Sequence, residues 1–183
     1  MGHPKSINDI NAMDYEDFIS HFGNAIENCS LIAAAVWRFR PFNDVVHLHE
    51  ALCSFVDDLP VSVLSPGQEG ILRSHPDLAG RVAAAGALTA ESTLEQRSAG
   101  LSQLTTEERV ELTDLNERYR GKFGFPFVVC ARQNKKNSIF EGLRARLNNS
   151  TEEEVAKGVQ EVKKICYLRL LDLVVHEGIE SKY

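Results

Sequence analysis

The sequence has no apolar run long enough to cross a membrane and no apolar signal region at its start. Its longest apolar stretches, such as LIAAAVW and LLDLVV, fall far short of the roughly 20 residues that a membrane-spanning helix needs. We therefore expect a soluble, intracellular protein with no membrane partner. The first six residues, MGHPKS, are expected to be disordered or vector-derived.

Clusters of positive charge are also missing. The 183 residues include 20 Lys and Arg against 26 Asp and Glu, which gives a formal net charge of −6 at pH 7. Proteins that bind a nucleic-acid backbone do so through clustered Lys and Arg. The composition therefore argues against a nucleic-acid partner and favours small molecules or proteins.

Paired cysteine motifs are absent as well. Cys29, Cys53, Cys130 and Cys166 are scattered in or beside apolar segments, with no CxxC spacing. This pattern is typical of reduced, mostly buried thiols in a reducing compartment. We predict no disulfide and no structural zinc.

Helical signals run through most of the chain. Between Asp44 and Pro60, apolar residues recur at steps of three and four, and the proline then ends the helix. These apolar residues are Val45, Leu48, Leu52, Phe55 and Leu59. Similar signals predict helices in DYEDFISHFG, CSLIAAAVWRFRP, LTAESTLEQRSAG and NSIFEGLRARLNN.

Two longer helices begin with capping boxes, formed by Thr105 with Glu108 and by Ser150 with Glu153. The apolar segment FGFPFVVCA, residues 123–131, is too short and too interrupted for a helix, so it should be a buried extended connection. We therefore expect a single all-α domain over residues 1–183, with about seven or eight helices and an exposed tail from 177 to 183.

An arginine occupies a core position of the last helix. The apolar seam of this helix runs through Val155, Val159, Val162 and Cys166 to Arg169 and then Leu173. In one interpretation Arg169 lies at the rim and extends its guanidinium to water. In the other, the buried guanidinium is satisfied by an anionic ligand or an internal carboxylate.

The stretch SHPDLAGR, residues 74–81, interrupts the helical pattern. Pro76 keeps His75 out of the helical region, so the histidine should be extended and lie at the end of the preceding helix. Taken alone, the stretch is typical of a histidine that caps a helix or bonds a backbone carbonyl, while Asp77 and Gly80 suit a turn. The alternative is that the corner displays the imidazole for acid or base chemistry.

Two further polar patterns have structural and functional interpretations. Ser92 and Glu95 have the S-x-x-E spacing of a capping box, yet Glu95 could instead orient a histidine by bonding one imidazole nitrogen. His47 and His49 are two residues apart on a helix, which places them on different faces. We therefore propose no metal site.

In combination, GILRSHPDLAGR, LTAESTLEQRSAGL, FGFPFVVCAR and EVKKICYLRL resemble the 2-oxo-4-hydroxy-4-carboxy-5-ureidoimidazoline (OHCU) decarboxylases of urate breakdown. The resemblance covers nearly the whole chain. It implies a helical enzyme without a cofactor, usually a homodimer, that converts the anionic OHCU to (S)-allantoin and CO2 after urate oxidase and hydroxyisourate hydrolase have acted.

The resemblance also implies site residues. His75 matches the catalytic histidine of the family, Glu95 the carboxylate beside it, and Arg169 the arginine of the last helix. We expect His75 to donate a proton, Glu95 to orient it and Arg169 to offset substrate charge, while the FPFVVCA segment offers backbone N–H groups and excludes water. The implied substrate contacts are Pro76, Ser92, Thr93, Leu94, Glu95, Gln96, Phe127, Val128, Val129, Cys130 and Ala131.

Alternatives to an active enzyme are a catalytically inactive homologue and a helical interaction module. His-Pro-Asp is also the signature of J-domain co-chaperones, but LSPGQEGILRS just before it contains one Arg and one Glu rather than a basic helix. The chain ends in SKY, which resembles a peroxisomal import signal with Tyr in place of Leu. We expect a location in the peroxisome or the cytoplasm.

Overall fold

The computed structural model describes residues 3–62 and 65–175. Its contacts divide the described residues into two compact units. The first unit takes residues up to Pro60 together with those from Lys163 onward, and the second takes those between Val61 and Val162. The predicted all-α class is confirmed, and the single-domain organisation stays a prediction.

In the first unit, three of the helices have N-termini that are capped by side chains. Its helices are α1 (Ile7–Ala12), α2 (Tyr15–Phe22), α3 (Ser30–Val36), a 3-10 turn (Trp37–Phe39), α4 (Val45–Asp57) and the later part of α10 (Thr151–Leu173). Ser6, Asp14 and Asp44 each accept a hydrogen bond from a backbone N–H in the first turn. Such caps satisfy donors that would otherwise have no partner in the helix.

Helix α4 follows the predicted apolar stripe with one change. Val45, Leu48 and Leu52 are buried as expected, but the next buried residue is Val56, while Phe55 is half-buried. The stripe continues by a step of four rather than three. Leu59 lies beyond the helix and is also half-buried.

The expectation of disorder in the first six residues does not hold for Lys5 and Ser6. The backbone N–H of Lys5 donates to the Leu173 carbonyl at 3.0 Å, and its carbonyl accepts from Val175 at 2.9 Å. Ser6 caps α1. Backbone pairing therefore fixes this segment to the region after α10.

The second unit begins with a two-residue antiparallel pair of strands, β1 (Val61–Ser62) and β2 (Ser65–Pro66), in which Val61 pairs with Pro66. The helices of this unit follow in chain order. They are α5 (Gly67–Arg73), α6 (Arg81–Ala84), α7 (Ala90–Ser98), a 3-10 turn (Leu101–Gln103), α8 (Thr106–Phe123), a 3-10 turn (Ala131–Gln133), α9 (Lys136–Arg146) and the first part of α10.

The described residues thus form ten α-helices, more than the seven or eight expected, because α1 and α6 span only six and four residues. Helices shorter than two turns leave little apolar periodicity in a sequence. Both predicted capping boxes are confirmed, since Thr105 and Glu108 exchange hydrogen bonds, as do Ser150 and Glu153.

The segment between α8 and the 3-10 turn at 131–133 is non-helical and largely buried, as predicted. Helix α8 ends at Gly124, which adopts φ 77°, a conformation that glycine accepts without strain. Within residues 3–62 and 65–175, no helix is both long and apolar enough to cross a bilayer.

Candidate active site

His75 lies just after α5, where its backbone N–H donates to the Leu72 carbonyl at 3.2 Å. Its Nδ1 is 2.9 Å from the carbonyl oxygen of Ile71. A carbonyl oxygen only accepts, so Nδ1 must carry the hydrogen. The tautomer is thereby fixed, and Nε2 is the nitrogen at which a further proton can be gained or lost.

The predicted position of His75 at a helix end is confirmed, but its ring is not displayed on the surface, since the residue is only 8% exposed. The Ile71 carbonyl fixes the ring through Nδ1, and the orienting role expected of Glu95 stays a prediction. The bond to a backbone carbonyl also matches the structural interpretation of this histidine. The structural and the catalytic interpretations of His75 are compatible, because acid or base catalysis requires an imidazole in a fixed orientation.

The loop after His75 is fixed by side chains from two helices. Gln96 Oε1 accepts from the Ala79 N–H at 2.8 Å, and Asn116 Nδ2 donates to the Leu78 carbonyl at 2.9 Å. Arg120 forms an ion pair with Asp77 at 3.1 Å. The loop that follows the histidine is therefore attached directly to α7 and α8.

Gly80 is required by space rather than by its backbone angles. A Cβ atom at this position would lie 2.7 Å from the Asp77 Cβ, closer than two carbon atoms can approach without displacement. The neighbouring Ala79 adopts φ 47°, which is uncommon for a residue other than glycine. Residues 78–80 are thus a tightly constrained part of the loop.

Helix α7 presents a buried polar face made by Ser92, Glu95 and Gln96, which are 4%, 8% and 7% exposed. The capping-box interpretation of Ser92 and Glu95 is wrong. The helix starts earlier, and its N-cap is Thr89, whose hydroxyl accepts from the Ser92 N–H at 3.2 Å. The S-x-x-E spacing instead places both side chains on one helix face.

The two other α7 residues implied by the resemblance lie on the opposite side. Thr93 is exposed, and its hydroxyl donates to the Thr89 carbonyl at 2.9 Å. Leu94 is 51% exposed. Their role as substrate contacts stays a prediction, whereas Ser92, Glu95 and Gln96 are buried.

The segment 127–131 is the third part of the candidate site, after the loop that follows His75 and helix α7. Phe127, Val128, Cys130 and Ala131 are buried, and Val129 is half-buried. The 3-10 turn that begins at Ala131 packs against α7. The Cys130 N–H donates to Glu161 Oε2 at 2.8 Å, so this amide, unlike the expectation for the segment as a whole, already has an acceptor from the chain.

The second unit therefore connects three of the four sequence blocks. The loop after His75 is bonded to α7, and α7 packs against the turn that ends the 127–131 segment. Asn116 and Arg120, which hold the loop, were missed by the sequence reasoning. Asn116 could have been found as a polar residue in the buried stripe of α8, between Leu112 and Tyr119.

Arg169 belongs to the first unit and is 3% exposed. Its Nη2 lies 2.7 Å from Glu27 Oε2, and its Nη1 donates to the Asn24 carbonyl at 2.9 Å. Glu27 is itself 1% exposed. The rim interpretation is therefore wrong, and the internal carboxylate that the seam position indicated is Glu27.

His47 and His49 each form a hydrogen bond with the backbone, and the nearby Cys53 thiol is partly buried. His47 Nδ1 accepts from the Asn43 N–H at 3.2 Å, and His49 Nε2 donates to the Lys163 carbonyl at 2.9 Å. Burial raises the pKa of the Cys53 thiol to about 11. In the described part of the chain, no group of three or more His, Cys, Asp or Glu residues could hold a metal ion.

Comparison with known proteins gives a consistent result. The family model described as OHCU decarboxylase matches residues 11–171. A 2-oxo-4-hydroxy-4-carboxy-5-ureidoimidazoline decarboxylase of Xenopus laevis is 48% identical over 176 residues, which cover 96% of this chain and 98% of the relative. A decarboxylase of the same name from Mus musculus is 49% identical over 165 residues, 90% of each chain.

Among solved structures, the crystal structure of (S)-allantoin synthase matches with a TM-score of 0.71. The match covers 92% of this chain and 54% of that chain, at 22% sequence identity. At this identity the likeness shows a shared fold.

Proposed function

Because the chain belongs to the OHCU decarboxylase family, we propose that it converts OHCU to (S)-allantoin and CO2 as the third step of urate degradation. The chain is a carboxy-lyase. The family match over residues 11–171 carries this proposal. The fixed tautomer of His75 supports the assignment of that residue to proton transfer.

The reaction needs one bond broken and one proton delivered. When the bond between the ring carbon and its carboxylate breaks, CO2 leaves and the electron pair remains on the ring, where the neighbouring unsaturation delocalises it. A proton is then added to one face of the ring, which sets the chirality of the product. The substrate anion and one proton thus give allantoin and CO2.

We assign the proton transfer to Nε2 of His75. Its Nδ1–H is committed to the Ile71 carbonyl at 2.9 Å, so the acid form that donates from Nε2 is the imidazolium. Burial of the ring limits exchange with bulk water during the step. The neutral ring left after transfer keeps its Nδ1–H bond and is ready to be protonated again.

We propose that Glu95 acts beside His75 in catalysis by orienting it. Ser92, Glu95 and Gln96 form the polar face that we propose for substrate recognition, together with Pro76 and the segment 127–131. Gln96 Oε1 also holds the Ala79 N–H, so this side chain links recognition to the loop that follows His75. Substrate contacts by Thr93 and Leu94 are proposed on the family resemblance alone, since both side chains lie on the exposed side of α7.

For Arg169 we propose the role of offsetting negative charge on the substrate, with Glu27 as its buried counter-charge. The substitution Arg169→Lys tests whether the planar guanidinium is needed. A lysine keeps the positive charge but cannot offer a carboxylate two parallel N–H donors in the geometry of a guanidinium. A loss of kcat/KM of about tenfold or more, measured where the variant is fully folded, is expected. Wild-type kinetics in this variant would contradict the assignment.

The activity itself is tested by following the loss of OHCU absorbance after OHCU is generated from urate in situ by urate oxidase and hydroxyisourate hydrolase. We expect decay well above the spontaneous rate, unchanged after the protein is dialysed against a metal chelator. Decay at the spontaneous rate with folded protein would support the alternative, a catalytically inactive homologue or a helical interaction module.

We propose a homodimer as the working form, because the resemblance implies one. Light scattering coupled to size-exclusion chromatography tests it, and a monomeric mass at micromolar concentration would contradict it. The SKY tripeptide lies outside the described residues. Peroxisomal or cytoplasmic location stays a prediction, which tagging with and without residues 181–183 would decide.

A further inference from the structure

A buried polar network joins α8, α9 and α10 next to the 127–131 segment. Arg146 Nε donates to Glu154 Oε2 at 2.9 Å, and Glu154 is fully buried. The Tyr119 hydroxyl donates to the same carboxylate oxygen. Burial and this hydrogen bond raise the pKa of Tyr119, so its hydroxyl stays protonated and remains a donor.

The same arginine also reaches the segment itself. Arg146 Nη1 donates to the Val128 carbonyl at 2.9 Å, and the guanidinium carbon lies 4.5 Å from the centre of the Phe127 ring. One planar group therefore fixes both a backbone oxygen and an aromatic face of the segment. Glu154 in turn fixes the guanidinium.

A second contact holds the segment two residues further on. Glu161 Oε2 accepts from the Cys130 N–H at 2.8 Å. The carbonyl of Val128 and the amide of Cys130 are thus both bonded to charged side chains from outside the segment. Between them lies Val129, which is half-buried.

We propose that Arg146, held by Glu154, is a positioning residue that fixes the backbone of Phe127–Val128 for substrate binding, with Glu161 fixing the other end of the segment at Cys130. The inference rests on the proposed function, in which this segment contacts OHCU. Two charged anchors at successive peptide groups are more than a buried connection requires, because neutral partners would satisfy the same atoms. They restrict the backbone conformations that the segment can adopt.

The test compares Arg146→Lys with Arg144→Met. The lysine keeps the positive charge beside Glu154 but lacks the planar fork that spans Glu154 and the Val128 carbonyl and the flat face that stacks on Phe127. Arg144 lies on the same helix and pairs with Glu111 and the Phe140 ring, with no contact to residues 127–131 among its ion pairs, hydrogen bonds and ring contacts. It is therefore a matched control for the loss of an arginine in α9.

For Arg146→Lys we expect KM to rise about tenfold with kcat changed less than about twofold, because an interaction present in both the bound and the transition state is weakened. The product remains (S)-allantoin, since His75 is unaltered. Calorimetric titration with (S)-allantoin should show a Kd raised by a similar factor. Arg144→Met should match the wild type in KM, kcat and Kd.

An unchanged KM and Kd in folded Arg146→Lys would overturn the proposal, as would a lowered melting temperature without a change in either constant. If Arg146→Lys does not fold, Glu161→Met takes its place, and the same rise in KM and Kd is expected from the other anchor. A wild type without turnover would instead refute the proposed function, while the allantoin titration would still decide whether the anchors position the segment.

Discussion

The guanidinium of Arg169 and the carboxylate of Glu27 form an ion pair of 2.7 Å in which the side chains are 3% and 2% exposed. Each group makes the burial of the other possible, because an isolated charge in this environment would be strongly disfavoured. The pair explains why an arginine can occupy a core position of α10. It also joins the turn at Asn24–Glu27 to the last helix of the first unit.

Breaking this pair should cost much more stability than breaking an exposed one. Glu27→Gln and Arg169→Met should each lower the free energy of unfolding by about 3–5 kcal/mol, because each leaves a buried charge without its partner. The double variant should lose less than the sum. Urea denaturation measures all three.

The control for this prediction is Asp57→Asn, which breaks the pair between Asp57 and Lys163 in the same unit, where Asp57 is 55% exposed. Its effect should stay within about 1 kcal/mol. Additive losses in the double variant, or single losses as small as that of the control, would show that Arg169 and Glu27 do not depend on each other.

Gly80 should be essential to the loop that follows His75. In Gly80→Ala the new Cβ meets the Asp77 Cβ at 2.7 Å, so we expect a loss of stability of about 1–3 kcal/mol and a fall in kcat as the loop shifts. Gly121→Ala is the matched control, because no atom lies within 4 Å of its added Cβ and alanine favours the helix by about 1 kcal/mol. Equal stability and equal kcat in the two variants would contradict the close approach between residue 80 and the Asp77 Cβ.

The sequence predicted the fold class, the long helices and both capping boxes, because these depend on local signals such as apolar periodicity and cap residues. It missed α1 and α6, since neither is long enough to show a period. It also misassigned Ser92 and Glu95. Their spacing fits a capping box and an inward helix face equally well, and only the position of Thr89 as the actual N-cap separates the two.

Partners from distant parts of the chain were the least predictable feature of the site. The position of Arg169 indicated a buried anion, but nothing local marks Glu27, in NAIENCS, as that anion. Arg146 and Glu154 likewise resemble ordinary charged residues of amphipathic helices. Their role depends on which helices pack together, and the sequence alone contains no direct information on that packing.

Half-buried His49 should make the protein less stable in acid. Its pKa is lowered from 6.5, first by burial and then by the charge of Lys163, which a hydrogen bond to the Lys163 carbonyl and the charge of Glu50 partly oppose. The folded state then binds fewer protons than the unfolded state, so stability is lost as the pH falls below about 6.5. Melting temperatures between pH 7.5 and 5 should fall less steeply in His49→Gln, and identical slopes would contradict this.

The central claim is that His75 delivers a proton to one face of the ring after CO2 is lost. OHCU also decays spontaneously to racemic allantoin, so the decisive measurement is circular dichroism of the allantoin formed from urate by urate oxidase and hydroxyisourate hydrolase. It should be made without this protein, with the wild type and with His75→Ala. We predict rapid formation of (S)-allantoin with the wild type alone and a kcat lower by about 10²–10⁴-fold in the variant. Racemic product at the spontaneous rate with folded wild type, or near-full kcat in His75→Ala, would contradict the claim.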